Sequence, residues 1–431
     1  MNLSPRHRLR LDPPGAQAAC IQAGLRAGAH WLHSGDTGED LLAWTGPRLI
    51  SRWNGSAWQS ELDGVPRLQS PWSALESVVP TMPGPWIGAA SYELACDEAG
   101  LPHKPLLPGC LGQSWGAVIK ALHWKEGVLE GLSWEPEPPT AEAWMLCLGR
   151  LAQEPAEPPT QAPLPLRPAW DQGTHRQAVL RIQECILDGG FYVANLCVPF
   201  HGDLRETAEE LAARTLGQAR TPFGALLNLG DLRLLSLSME RLLSRRGNHL
   251  RSQPIKGSAP RTGDPITDQK TGSALAADPK ERAEHTMIVD LVRNDLGRVA
   301  LAGTVQVSRC MALEPYPTVL HLVSTVEAEA RPGLGLADLL RAVLPGGSVT
   351  GAPKHAVCGH LAAAEAAPRG FYCGALGWVS ANGDLDLALP IRTAQIAGSH
   401  LTYWTGGGIT RRSDPEREWQ ELFLKTRTIT S

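Results

Sequence analysis

No run of 18 apolar residues occurs anywhere in the 431-residue chain, which excludes a membrane-spanning helix of ordinary length. The arginine-bearing start, residues 1–11, leads into no apolar segment. A secretory signal is therefore not expected, and the expected location is the cytoplasm. The nine cysteines contain no C-x-x-C pair, Cys185 and Cys197 being the closest two. That argues against a zinc knuckle or a redox dithiol and for reduced thiols. Positive charge is not in excess, with 40 basic against 44 acidic residues and a net charge of -4. A nucleic-acid partner held by a broad basic field is excluded on that ground. Lysine is scarce, 8 against 32 arginines. A chain that meets its surface-charge needs with arginine keeps lysine for places where the amine matters. Five of the eight, Lys256, Lys270, Lys280, Lys354 and Lys425, lie beyond residue 250.

What is present is enough for a packed core: 43% of the residues are hydrophobic and 19% charged, a balance unlike that of a disordered chain. Nine prolines fall within 135–168. A short helix is predicted at about 141–151, and an extended linker beyond it. Ten of the 14 tryptophans precede residue 145. The division expected is 1–165, a strand-rich segment with turns such as Trp53-Asn54-Gly55, and 166–431, a region of mixed helices and strands. In the second region periodicity predicts helices at 175–188, 204–216, 280–296, 336–343, 354–366 and 414–427. It predicts strands at 223–229, 232–238, 304–310, 373–380, 385–394 and 401–406. The elements do not alternate strictly and hairpin signals such as Asn382-Gly383 occur. An α+β fold with large antiparallel sheets is expected rather than a doubly wound parallel sheet.

Two predicted helices each carry glutamates three apart, Glu281 with Glu284 and Glu418 with Glu421. Residues at that spacing share a helix face. They either decorate a solvated surface or, if the faces meet, offer four carboxylates to a hard divalent cation such as Mg²⁺. Lys425 follows Glu421 by four residues, the spacing of a simple helix ion pair or of a second substrate anchor. The loop Pro345-Gly346-Gly347-Ser348-Val349-Thr350-Gly351-Ala352-Pro353-Lys354 enters a helix without the glycine–lysine step of a Walker loop. It is either a tight turn or a cradle presenting amides and hydroxyls to an anion. Gly406-Gly407-Gly408 would let backbone approach a ligand. Lys256, read as a loop residue after a short strand, and Glu240, read as a strand end, are either a salt bridge or a pair of nucleophile or base with general acid. His321 lies in an apolar run, the pattern of a hydrogen-bonded core histidine.

Taken together, these segments resemble the chorismate-utilising enzymes, the family of anthranilate synthase component I, aminodeoxychorismate synthase component I, isochorismate synthase and salicylate synthase. The resemblance is carried by the run from Glu284-His285-Thr286 to Leu296-Gly297-Arg298 and the loop from Gly346 to Lys354. It continues through Ile391-Arg392-Thr393, Gly406-Gly407-Gly408-Ile409 and the closing Glu418-x-x-Glu421-x-x-x-Lys425, in family order over about 170–430. Looser likeness covers Leu32-His33-Ser34-Gly35 and the segment from Trp86 to Glu93. The family fold it implies has two large, mostly antiparallel sheets packed face to face and flanked by helices.

The resemblance also implies roles. Glu281, Glu284, Glu418 and Glu421 become the Mg²⁺ set and Glu240 the general acid. Arg392 becomes the clamp on a substrate carboxylate. Tyr372, Thr350, Lys425 and the amides of Gly407 and Gly408 become substrate contacts, and His321 a neighbour of the ring. The Pro254-Ile255-Lys256-Gly257-Ser258 segment is similar to the lysine-bearing form typical of members that aminate C4 of chorismate. Members that hydrate C2 carry a water-activating lysine where Val193 stands. Amination at C4 is therefore expected, with ammonia supplied by a glutamine amidotransferase subunit; amination at C2 is the rival reading. Met239, Ser258, Val193 and Arg412 depart from the family pattern without removing a proposed catalytic group. The Gly109-Cys110-Leu111-Gly112-Gln113 turn is only superficially similar to an amidotransferase nucleophile turn, since residues 114–165 offer no His-x-Glu partner.

Overall fold

The computed structural model describes residues 5–11, 17–34, 39–137, 139–153, 164–317 and 319–430. The tail of Leu32-His33-Ser34-Gly35 and most of the expected linker, 154–163, lie outside them. Every strand pairing among the described residues is antiparallel, and hydrogen bonds join 22 strands into one network.

That network divides at a single long antiparallel strand pair, Glu39–Trp53 against Leu111–Lys125. Its register shifts around Gly46-Pro47, between Thr45 and Arg48, where a proline that cannot donate and an extra residue bend the strand. Residues 39–43 continue through His30–Ser34, Phe223–Asn228, Leu232–Ser238 and Thr393–Ala397 to His400–Ile409 and Val193–Asp203. From 111–117 the other half continues through Trp86–Ala90, Ala375–Val379, Leu385–Ala388, Arg241–Arg246 and His249–Gln253 to Val319–Glu329. Leu32, Ala225, Leu227 and Leu234 of the first ladder share one buried core with Ile87, Ala89, Leu376 and Trp378 of the second. The two faces therefore pack on each other, as the α+β reading expects.

Tryptophans of the first segment are core rather than surface: Trp72, Trp86, Trp115 and Trp134 are fully buried. Helices flank the sheets close to the predicted positions, including Gln172–Leu187, Leu336–Val343 and Lys354–Ala364. The predicted strand at 385–394 is interrupted, its two halves being Leu385–Ala388 and Thr393–Ala397. The break contains Pro390 and Arg392, whose φ of 50° is incompatible with an extended ladder. No helix among the described residues is long and apolar enough to cross a membrane.

Candidate active site

The two glutamate-bearing helices begin in the same way. Asp278 caps Pro279–Gly297 by accepting from the amides of Lys280 and Glu281, and Asp414 accepts from the amides of Glu416 and Arg417 at the start of Pro415–Thr430. An aspartate at the cap with proline at the first helical position satisfies orphan amides and pre-sets the backbone. Each pair of glutamates thus lies in the first two turns of its helix. The helices bring the four carboxylates within mutual electrostatic reach, Glu281 feeling Glu421 and Glu284 feeling Glu418. Burial, reinforced by that repulsion, raises the carboxyl pKa of Glu281, Glu284 and Glu418. Glu421 moves the other way because Lys425 faces it.

Lys425 makes the helix ion pair expected of its spacing, 2.6 Å to Glu421, and also donates to the Gly406 carbonyl at 2.6 Å. It ties the second glutamate-bearing helix to the glycine strand. Oε1 of Glu284 is buried with no hydrogen-bond partner, its nearest cation being Lys280 at 3.8 Å. An all-carboxylate set with an orphaned oxygen suits a hard cation. Among the described residues no three ligating side chains close on one point, so Mg²⁺ here would have to complete its octahedron with water or substrate oxygens.

Lys256 is not in a loop. It lies in the strand Ile255–Pro260, paired with Val319–Glu329, at a bulge: Ile255 faces Val323 but Ser258 faces His321, so one extra residue is accommodated. Gly257 takes a φ of 90° there, which a residue with Cβ would resist. A bulge re-aims a side chain out of the ladder. The Lys256 amine is carried to the glycine strand, where a Cβ on Gly408 would come within 2.8 Å of Nζ. A Cβ on Gly407 would come within 3.0 Å of Glu418 Oε2. At both positions a Cβ would crowd the tip of a flexible side chain, so the two glycines leave room for the amine and the carboxylate to lie against the strand.

Glu240 stands in the connection after Leu232–Ser238 rather than within a strand, its carbonyl accepting from the Leu389 amide at 3.0 Å. Its side chain is buried, and Ser348 donates to Oε1 at 2.5 Å. Burial pushes its pKa up to about 7, against the opposing pull of Ser348, Lys256 and the Ile255 amide. It is a neutral acid over most of the acidic range.

His321 is buried, with Nδ1 2.9 Å from Ser258 Oγ, while Nε2 has no partner. It is thus a core histidine on one edge and an open polar atom on the other. Burial, then Arg392, depresses its pKa to about 3, so it is neutral. Arg392, Tyr372 and Tyr403 are electrostatic neighbours, and Tyr372 stacks on Trp404 with centroids 6.2 Å apart. The Thr350 hydroxyl is fully buried and donates to the Gly346 carbonyl at 2.9 Å, bracing its own loop. Gly351 in that loop has a φ of 134°, and a Cβ would lie 2.1 Å from the Val193 carbonyl.

Sequence reasoning assigned no role to Ser348 or His285, and marked Lys280 only as one of five scarce lysines. His285 is buried, with Nδ1 2.9 Å from the Lys256 carbonyl and Nε2 2.7 Å from Ser324 Oγ. Lys280 faces all four glutamates. The scarcity of lysine pointed to Lys280 as one of five; nothing in local pattern pointed to the others.

Residues 29–431 match the family described as chorismate binding enzyme. The chain belongs to that family. Among curated chorismate-binding relatives, aminodeoxychorismate synthase component 1 of Salmonella typhimurium is 40% identical over 63% of this chain and 61% of its own length. That of Escherichia coli is 42% identical over 58% and 55%. An aminodeoxychorismate synthase of Streptomyces griseus is 34% identical over 83% of this chain and 52% of its own length. The chain thus aligns with about half to three fifths of these relatives. Anthranilate synthase component 1 of Streptomyces coelicolor is 38% identical over 59% and 50%. The crystal structure of anthranilate synthase component I from Streptococcus pneumoniae superposes with a TM-score of 0.78 at 25% identity, covering 91% of this chain and 92% of that one.

Proposed function

We propose that this chorismate-binding enzyme is an aminodeoxychorismate synthase component I. It converts chorismate and ammonia to 4-amino-4-deoxychorismate, the precursor of 4-aminobenzoate in folate synthesis, in the cytoplasm. The observation that carries the reading is the pairing of Lys256, aimed by its bulge at the glycine strand, with Glu240, a buried acid titrating at about 7. Arg392 clamps a substrate carboxylate with its planar fork, and the Gly407 and Gly408 amides, Tyr372 and Thr350 shape the pocket. The Lys256 amine, once deprotonated, attacks C2. The ring double bonds shift, and the C4–O bond breaks with its electron pair as Glu240 gives its proton, so the hydroxyl leaves as water. Ammonia then adds at C4, the double bonds shift back and the lysine leaves C2. Neutral His321 lies beside the ring with Nε2 free to accept or donate one hydrogen bond. Glu281, Glu284, Glu418 and Glu421 would hold Mg²⁺, which when bound supplies Lewis acidity at the ring carboxylate. Ammonia comes from a glutamine amidotransferase partner.

Incubation with chorismate, Mg²⁺ and an ammonium salt tests this reading. The expected product yields 4-aminobenzoate only after an added lyase. Direct formation of fluorescent anthranilate would establish the rival, anthranilate synthase component I.

A further inference from the structure

The carboxyl of Glu240 is held by a residue to which the family resemblance assigns no role. Ser348 comes from the turn Gly347–Val349, and that turn is fixed on three sides. Thr350 Oγ1 donates to the Gly346 carbonyl at 2.9 Å, Arg369 Nη1 to the Val349 carbonyl at 2.8 Å, and the Asn195 amide to the Thr350 carbonyl at 2.9 Å. A loop so braced delivers the Ser348 hydroxyl to one place, 2.5 Å from Glu240 Oε1. Among the described residues that oxygen is the hydroxyl's sole hydrogen-bond partner. A half-buried hydroxyl with one acceptor donates to it. A proton on Oε1 would set donor against donor.

We propose that Ser348 is a positioning residue for the general acid: by donating to Oε1 it reserves Oε2 of Glu240 for the proton that goes to the departing C4 hydroxyl. The inference rests on the reading of Glu240 as that acid. The charged groups around the carboxyl are Lys256 on the neighbouring strand, and Arg241 and Asp295, which line the same small cleft as Glu240 and Ser348. Asp295 is ion-paired to Lys354 at 2.7 Å. Ser348 hydrogen-bonds none of these groups.

The test compares Ser348→Ala, Ser348→Thr and Ser348→Cys, the last keeping the volume with a weak donor. Infrared difference spectra titrate the Glu240 carboxyl, with Glu240→Gln identifying the band, and steady-state kinetics are taken across pH. Removing a donor that favours the carboxylate should raise the midpoint of the Glu240 band in Ser348→Ala. It should lower kcat roughly tenfold, the scale of one lost hydrogen bond to a charged group, and leave KM for chorismate unchanged. Ser348→Thr should restore both, with Ser348→Cys in between. A Ser348→Ala band that titrates as in wild type, or a loss that Ser348→Thr does not repair, overturns the inference. Amination by Glu240→Gln at the wild-type rate would instead overturn the general-acid reading, while the band midpoints would still report whether Ser348 holds the carboxyl.

Discussion

At the residue scale, the chemistry proposed for Lys256 separates a nucleophile from a mere charge. Arginine keeps the charge but stays protonated, so it cannot attack carbon. Lys256→Arg and Lys256→Ala are therefore both expected to lose most C4 amination and to form no adduct. Mass spectrometry of wild type with chorismate and no ammonia should show mass added at Lys256; near wild-type amination by Lys256→Arg would leave only an electrostatic role. Glu240 supports a second prediction, on stability. Its folded pKa of about 7 lies above the ordinary carboxyl value of 4.5. Between those values the native state binds more protons than the unfolded state, so this group's contribution is full below about 4.5 and is lost as pH rises through about 7. Glu240→Gln, neutral throughout, should gain stability relative to wild type over that window and hold the gain above it. Urea unfolding at several pH values measures the difference, and a pH-independent difference would contradict the buried-acid assignment.

At the element scale, the two Asp-Pro-capped helices form one device, since each supplies two carboxylates that repel the other pair. Glu284→Gln or Glu421→Gln should abolish turnover while leaving the circular dichroism spectrum unchanged, and Mn²⁺ binding followed by electron spin resonance should weaken in parallel. Turnover that survives exhaustive chelation would contradict the metal assignment. These elements were legible in the sequence because glutamates at i,i+3 report a shared helix face whatever the tertiary context. The alternation of apolar residues likewise gave Phe223–Asn228 and Leu232–Ser238 nearly to the residue. The bulge at Lys256 was not legible. Its extra residue exists only relative to the partner strand Val319–Glu329, which is 63 residues away at the Ser258–His321 pairing. The break at Pro390–Arg392 inside a run that reads as one strand was hidden for the same reason: a non-glycine residue at a φ of 50° is held there by its surroundings. Ser348 gave no signal at all, since a serine in a glycine-rich turn has the same pattern whether or not a buried carboxyl faces it.

At the scale of the whole molecule, strands from the first 165 residues pair directly with strands from the region after residue 165. His30–Ser34 pairs with Phe223–Asn228, and Trp86–Ala90 with Ala375–Val379. The family match takes up residues 29–431, leaving no stretch of these 431 residues for a second enzyme that would release ammonia from glutamine. Yet the proposed amination at C4 needs ammonia itself, whose lone pair ammonium lacks, and near neutral pH ammonium is the dominant form. A partner that delivers ammonia directly removes that limit. The purified chain alone should therefore aminate chorismate with ammonium salts, the rate at fixed total ammonium rising as pH increases toward 7 because the neutral fraction grows. Given glutamine in place of ammonium it should release neither glutamate nor amino product, and adding a glutamine amidotransferase subunit that binds it should restore turnover. Glutamine-dependent product from the isolated chain, confirmed with ¹⁵N-amide glutamine, would refute the division of labour between two subunits.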